Sequence, residues 1–473
     1  MDGFPSKATR VGDAQLDDAC NGFQRAHPHR SAKRRLYFTQ ALAIALFIGA
    51  LGFALASAPR PTLAALSAGA YVLFTAAILL RLFAAAHLRP VLTRLAAPAQ
   101  TPAYTILCPL YREANVVADL VTALERLDYP RTALDIKLIV EDDDADTLAA
   151  ALAAANAAHL DVIIVPARRP RTKPKALNAA LSSARGDYVV IYDAEDRPHP
   201  QQLRAALAAF EDGAPNLACV QAPLAIDNGE ASWIARQFAA EYAILFGELL
   251  PLLASLRLPF PLGGTSNHFR INALRAVGGW DPYNVTEDAD LGYRLARDGY
   301  ASAVIAPPTY EEAPVTFGAW LAQRARWIKG HIQTWLVLMR DPVRSAREMG
   351  LGAFAMMQLV LGGGIVAAFV HGPLAFILLI AALSPYDLLS PSAFALAMAG
   401  YCVAVFSALT AVALSGNFSH VRAALTMPFY WPLATIAALR ALFEFIFKPH
   451  HWAKTAHGVS RRKPIAVRGD ARA

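Results

Sequence analysis

Apolar residues run through this chain in three different textures. Stretches 36–59 and 61–80 carry no charge, are each long enough to cross a bilayer, and are separated only by Arg60 in a proline-containing turn. They predict a transmembrane hairpin over 36–81. From Tyr104 the pattern shortens to β-rich runs, YTILC, IKLIV, DVIIV, DYVVIY and LACVQ, with Ala- and Leu-rich helical stretches between them. That alternation predicts βαβ units on a mainly parallel sheet, hence a Rossmann-like α/β domain over 98–312. Long apolar runs return at 350–370, 373–389, 392–414 and 425–447, predicting an α-helical transmembrane domain of about four spans within 349–447.

Between the second and third textures lies TFGAWLAQRARWIKGHIQTWLVLMR, residues 316–340. Phe317, Trp320, Leu321, Arg324, Ile328, His331, Ile332, Trp335 and Met339 recur at helical spacing, a mostly apolar and aromatic stripe suited to a helix lying in the membrane interface over 313–341. Gln323, Arg326, Gly330 and Gln333 form a polar face, with Trp327 one turn after Gln323.

Composition then fixes the class. Of 473 residues, 55% are hydrophobic and only 17% charged, too apolar for an ordinary soluble domain. The formal charge of +7 sits mostly in the two tails and beside the apolar runs. That is the positive-inside distribution, so it points to a multi-pass protein of the cell membrane with its α/β domain in the cytosol, and away from nucleic acid. Residues 1–35 read as a disordered basic cytosolic tail, and 448–473 as a second cytosolic tail. Cys20, Cys108, Cys219 and Cys402 are scattered, with no CxxC pair, so they predict neither zinc nor disulfides.

Ligand sites on such sheets lie beyond the carboxyl ends of the strands, and the polar residues gather there. Tyr111, Arg112 and Glu113 follow the first run, Glu141, Asp142, Asp143 and Asp144 the second, and Asp193, Glu195 and Asp196 the fourth. No GxGxxG follows a strand, which disfavours nicotinamide and flavin chemistry. Asp193 and Glu195 are hard oxygen ligands for a divalent cation, although an acidic turn also caps a following helix. The basic loop RRPRTKPKALN precedes another helix, and of its cations Lys175, beside the helix start, is the candidate for phosphate oxygens. In Thr286-Glu287-Asp288, Asp288 either favours a helix dipole or acts as a general base. Gly263 and Gly264 permit close backbone approach to a ligand.

Taken in order and spacing, Tyr111/Glu113, Asp142/Asp143, Lys175, Asp193/Glu195, Thr286-Glu287-Asp288 and Gln323-Arg324-Ala325-Arg326-Trp327 match the D, DxD, TED, QxxRW pattern. The chain thereby resembles membrane-integrated glycosyltransferase family 2 enzymes, the branch containing cellulose, hyaluronan and chitin synthases. The resemblance implies a glycosyltransferase A-type fold and an inverting enzyme using a UDP-sugar with Mg2+ or Mn2+. By matching positions, Tyr111, Glu113, Asp142 and Asp143 would hold uridine, Lys175 the diphosphate, and Asp193 with Glu195 the metal. Asp288 would be the base, Gln323 and Arg326 would complete the donor pocket, and Trp327, Glu287 and Gly264 would face the acceptor. The DxD position reads Asp-Ala-Glu here.

For the acceptor, the resemblance favours a growing β-linked polysaccharide, with UDP-glucose as donor, translocation through the spans and export partner proteins. Tyr71, Gln358, Ser384, Tyr386, Tyr401, Ser407, Thr410, Tyr430, Trp431 and Thr435 are the polar and aromatic residues that would line such a conduit. A membrane lipid receiving one or a few sugars is the alternative, since it needs only lateral access. A non-catalytic transporter or receptor is the remote one; a transporter should place ionisable groups in its spans, and Asp387 with the Arg440/Glu444 pair are nearly all these offer.

Overall fold

The computed structural model describes residues 8–87, 91, 94–95, 101–158, 160–383, 389–414, 421–454, 458, 460 and 462. Strands β1 (Ala8–Arg10), β2 (Tyr104–Leu110), β3 (Leu134–Glu141), β4 (Asp161–Val165), β5 (Tyr188–Ile191), β6 (Arg197–Pro198), β7 (Leu217–Gln221), β8 (Leu224–Ile226), β9 (Asn267–Arg270), β10 (Ala301–Val304) and β11 (Thr309–Glu311) form two sheets. The larger has the order β1-β4-β3-β2-β5-β9-β7-β10, and the smaller is β6-β11-β8. The α/β expectation holds: the large sheet is parallel except at β9, which runs antiparallel to both β5 and β7. β3 is buried at every position, as a central strand covered on both faces must be. The switch in strand direction beside β5 opens the crevice in which the candidate site lies.

The tail expected over 1–35 is folded from residue 8 onward. β1 pairs in parallel with β4, and helix Asp13–Ala26 packs Leu16, Ala19, Cys20 and Phe23 inward. The sequence there is polar enough to read as a tail because only one narrow stripe of the helix is apolar. That stripe suffices against the apolar face of helix Lys173–Leu181, and Arg294 lies over the Phe23 ring at 4.5 Å.

Helices Phe38–Ser57 and Pro59–Ala86 form the expected hairpin, with the second running past the boundary anticipated at residue 81. The later spans differ from expectation. Runs 350–370 and 373–389 form one helical stretch, Leu351–Leu383, of 33 residues. Pro373 does not end it, because Thr435 Oγ1 donates to the Ala368 carbonyl at 2.8 Å and accepts the Gly372 amide at 2.9 Å, satisfying groups near the break. Pro391–Leu414 is a second long helix, whereas Val421–Tyr430 and Leu433–Phe447 are a pair bent by 54°. The expected four later spans are therefore two long apolar helices and a bent pair. Helix Trp233–Ser255 is also long and apolar enough to cross a membrane, but half of its most apolar window is buried within the protein.

Helix Phe317–Leu338 occupies the place expected for the interfacial helix. It starts on Thr316, whose Oγ1 accepts the Ala319 amide, and packs along Leu433–Phe447 on one side and against Glu287–Arg297 on the other. It thus touches both the sheet domain and the apolar helices.

Candidate active site

One cavity of about 1460 Å³ lies beyond the carboxyl ends of β2 and β5. Tyr111, Glu113, Asp193, Glu195, Gly264, Glu287, Asp288, Gln323, Arg326 and Trp327 all line it. Segments more than two hundred residues apart in the chain converge there because sheet, Glu287–Arg297 helix and Phe317–Leu338 helix share that edge.

After β2 the chain turns sharply, with Arg112 in the left-handed region at φ 56°. The turn is held by the Tyr111 amide donating to Glu113 Oε2 at 3.2 Å and the Glu113 amide donating to Thr147 Oγ1 at 2.9 Å. Three expected donor contacts lie elsewhere. Asp142 is tied to Arg10 of β1 and to the Ala167 amide, and Asp143 pairs with Arg171 at 2.6 Å; neither lines the cavity. Both sit where β3 gives way to β4, on the side of the sheet away from β5.

Lys175 is the clearest correction. It is fully buried, donates to Glu141 Oε1 at 2.5 Å and to the Arg168 carbonyl at 3.1 Å, and does not reach the cavity. Lys173 does. Its Nζ is ion-paired with Asp193 and donates to the Gly264 carbonyl at 2.6 Å. Positions two apart on a helix point about 200° apart, so once Lys173 faces the cavity Lys175 must face the core.

Asp193, Glu195 and Glu311 crowd one wall. Burial and the neighbouring Asp193 push Glu195 up to about 7, and burial with Glu195 and Asp193 pushes Glu311 well above the carboxylate range. Asp196 fixes the turn: its Oδ2 accepts the Asp193 amide at 2.7 Å and the Thr265 hydroxyl, while its buried Oδ1 has no partner. Among the described residues no group of three His, Cys, Asp or Glu side chains is arranged as a self-sufficient metal site. Two acidic arms beside mutually repelling carboxylates suit a hard cation that would take its remaining ligands from outside the protein.

Across the cavity, Gly264 approaches Asp288 so closely that a Cβ on it would lie 3.3 Å from Asp288 Oδ2. Asp288 Oδ1 accepts the Ala289 amide at 2.7 Å, leaving Oδ2 toward the cavity. Burial raises Asp288 above the ordinary carboxylate range, and burial together with Asp288 pushes Glu287 up to about 8. His268, by contrast, is a core residue: its ring nitrogens bond Tyr104 and Gln202, and burial lowers it to about 3.

From the interfacial helix, Arg326 donates to the Val285 carbonyl at 3.4 Å, and its Nε and Gln323 Oε1 are buried without partners among the described residues. Trp327 packs against Phe238 and Tyr242, with ring centroids 5.6 and 6.3 Å away, and Arg324 lies 5.0 Å over its ring. Phe238 and Tyr242 belong to Trp233–Ser255, which sequence reasoning passed over although its π-helical turn Leu245–Leu249 lines the cavity. The available signal was a long, mostly apolar run interrupted by Arg236, Gln237, Glu241 and Glu248.

The C-terminal segment was also missed, having been read as a tail. Trp452 lies under the Arg326 guanidinium at 4.4 Å, His450 Nδ1 donates to the Tyr283 carbonyl at 2.9 Å, and Lys454 Nζ is bonded to Glu113. Farther on, Ser460 bonds Glu312 and Arg462 pairs with Asp227 at 2.8 Å. Residues 448–452 and 454 thus close one side of the cavity. Aromatic and histidine residues interleaved with the cations in KPHHWAKTAH were the signal.

Of the ten residues expected to line a sugar conduit, Ser384 and Tyr386 lie outside the described residues, as does Asp387. Among the other eight only Trp431 lines the cavity. Most of the others are engaged in helix packing: Ser407 and Thr410 each donate to Glu248 at 2.5 Å, Gln358 accepts from Trp335 at 2.8 Å, and Tyr430 bonds Trp320 at 2.6 Å.

Residues 188–439 match the family model described as glycosyl transferase family group 2. The chain is 26% identical over 398 residues to a β-monoglucosyldiacylglycerol synthase of Synechocystis sp., covering 80% of each protein. It is 25% identical over 265 residues to a poly-β-1,6-N-acetyl-D-glucosamine synthase of Staphylococcus epidermidis, spanning 54% of this chain and 61% of that one. Among solved structures, a mannosyltransferase from Pyrobaculum calidifontis, in complex with GDP-Man and Mn2+, aligns with a TM-score of 0.49 at 21% identity, covering 79% of this chain and 96% of that one.

Proposed function

The chain belongs to glycosyl transferase family group 2, and from that premise we propose that it moves a hexose from a UDP-sugar, with inversion, to a hydroxyl of a membrane lipid. The observation that carries this is the meeting of Asp193, Glu195, Glu287, Asp288, Arg326 and Trp327 in one cavity whose far wall is built from apolar helices. The acceptor's oxygen forms a bond to the sugar's anomeric carbon while the bond to the diphosphate breaks. The proton passes to Asp288, and UDP leaves with the electron pair.

Tyr111 and Glu113 hold the nucleoside end, and Lys173 and Arg326 supply positive charge where the leaving diphosphate gains negative charge. Asp193 and Glu195 would hold a divalent cation, Mg2+ or Mn2+, which supplies Lewis-acid stabilisation of that leaving group. Gly264 lets the acceptor approach Asp288 Oδ2, and Trp327 forms the floor beneath it. The catalytic domain lies on the cytosolic side, where basic residues flank the apolar helices.

A lipid acceptor is favoured over a polymer because most of the expected conduit residues among the described ones are occupied by helix packing, while sugar hydroxyls left unpaired in an apolar conduit cost about 1–3 kcal/mol each. The relative covering 80% of this chain is named for glycolipid synthesis. Polysaccharide synthesis is the second reading, supported by similarity to the poly-N-acetylglucosamine synthase, and export partners belong to it alone. Incubating the purified protein with radiolabelled UDP-sugars, with and without lipid, and separating products by solvent extraction tests the choice. Label in discrete organic-phase glycolipids is expected; label in water-soluble or insoluble polymer would overturn the lipid reading.

A further inference from the structure

The cavity does not end at the catalytic carboxylates. Its wall continues between the membrane helices, past Val360, Gly364 and Ala367, to Arg81, His371 and Trp431. Arg81 belongs to the apolar helix Pro59–Ala86, and an arginine near a span end ordinarily extends its head toward water. Here its guanidinium lies over the Trp431 ring at 5.6 Å and lines the cavity. His371 and Tyr401 stack on the same indole at 5.8 Å each, and His371 Nδ1 and the Tyr401 hydroxyl are shut from solvent without partners among the described residues.

Among the described residues Arg81 has no ion pair. The carboxylates in its electrostatic surroundings, Glu241 and Glu248, are already engaged, the first by Arg324 and the Tyr430 hydroxyl, the second by Ser407 and Thr410. A guanidinium carries only donors, in a planar fork that matches phosphate and carboxylate oxygens. A charged side chain kept among membrane helices without a partner marks a ligand site. Arg81, among the membrane helices, and Asp288, at the edge of the sheet domain, line the same cavity. A lipid whose phosphate sits on that cation has its headgroup hydroxyls in the cavity that also holds the carboxylate.

We propose that Arg81 binds the phosphate of the acceptor, so that the acceptor is a membrane lipid carrying a phosphate ester and a free headgroup hydroxyl. This rests on the reading of the Asp288 cavity as a glycosyl-transfer site. The headgroup oxygen takes the sugar, its proton goes to Asp288, and the phosphate remains esterified and bound to Arg81. His371 supports the ring against which the guanidinium lies.

The test uses the full-length protein in non-ionic detergent with three acceptors: phosphatidylglycerol, diacylglycerol and deacylated glycerophosphoglycerol. Phosphatidylglycerol should have a KM at least tenfold below the other two. Arg81→Gln should raise its KM tenfold or more while changing that of diacylglycerol less than twofold, and Arg81→Lys should recover part of the loss. Equal KM values for phosphatidylglycerol and diacylglycerol, equal use of the deacylated compound, or the same loss on every acceptor in Arg81→Gln would each overturn the proposal. Thermal unfolding of the wild type decides the matter should the variant not fold: phosphatidylglycerol raises Tm and diacylglycerol does not, and no difference contradicts it. UDP release from donor with no transfer to any lipid sinks the phosphate site and leaves the transferase reading standing. Absence of donor binding and UDP release sinks the transferase reading, while the thermal comparison still judges Arg81.

Discussion

Gly330 of the interfacial helix lies so close to Thr286 that a Cβ on it would fall 2.3 Å from Thr286 Oγ1 and 2.7 Å from Thr286 Cβ. The loop that ends at Thr286, and with it the helix start carrying Glu287 and Asp288, is therefore pressed directly on the helix carrying Gln323, Arg326 and Trp327. Two neighbouring contacts hold the same join: Gln333 accepts the Val285 amide at 3.1 Å, and Asn284 donates to Thr334 Oγ1 at 2.9 Å. The general base and the donor-pocket arginine are in this way positioned by one seam.

Gly330→Ala tests that seam. The new methyl group meets a buried side chain with no room to yield, an overpacking that costs about 1–3 kcal/mol and shifts the loop. We expect UDP release to fall at least tenfold with donor KM changed less than threefold. Unchanged turnover would show that the loop and helix are not coupled.

Lys173 and Lys175 should separate cleanly. Lys173→Gln removes a cation from the cavity and should lower turnover by a hundredfold or more in a protein that still folds. Lys175→Met strands Glu141 in the interior, and breaking a buried pair costs about 3–5 kcal/mol, so the loss should appear first as a lower Tm in detergent. The reverse assignment, Lys175→Met folded but inactive and Lys173→Gln fully active, would restore the reading made from sequence.

Chelation tests the cation. Excess EDTA should abolish transfer and added Mg2+ or Mn2+ should restore it, whereas Asp193→Ala should stay inactive at any metal concentration. Full activity in EDTA would remove the metal from the account.

Trp452→Ala should raise donor KM about tenfold, read by initial rates against UDP-sugar concentration, because it uncovers Arg326 and frees the segment that carries Lys454 to Glu113. An unchanged KM would make the C-terminal segment a bystander.

What could be read from the sequence follows from how local its cause is. The β-rich runs that form β2, β3, β4, β5 and β7 and the charge-free helices announce themselves by periodicity, and ten of the thirteen proposed site residues face one cavity. Sequence cannot choose between Lys173 and Lys175 because both lie in the first turn of the helix, and only packing decides which way that turn faces. The span boundary at Pro373 was misjudged because Thr435, 62 positions later, supplies the missing polar partner. β1 and the C-terminal segment take their places through contacts made far along the chain, with Ile163 of β4 and with Arg326; the composition of KPHHWAKTAH hints at a role but cannot say what it meets.

The central claim is that Asp288 takes the acceptor's proton. Burial raises its carboxyl above the ordinary carboxylate range of about 3.9, so the base is lost as pH falls, and the acid limb of the kcat profile should lie above that value. The most direct measurement is UDP release by Asp288→Asn beside wild type, with donor binding followed on the same preparations. The account predicts donor binding within threefold and release lower by about 10²–10⁴-fold across the whole pH range. Equal release by the two proteins would contradict it.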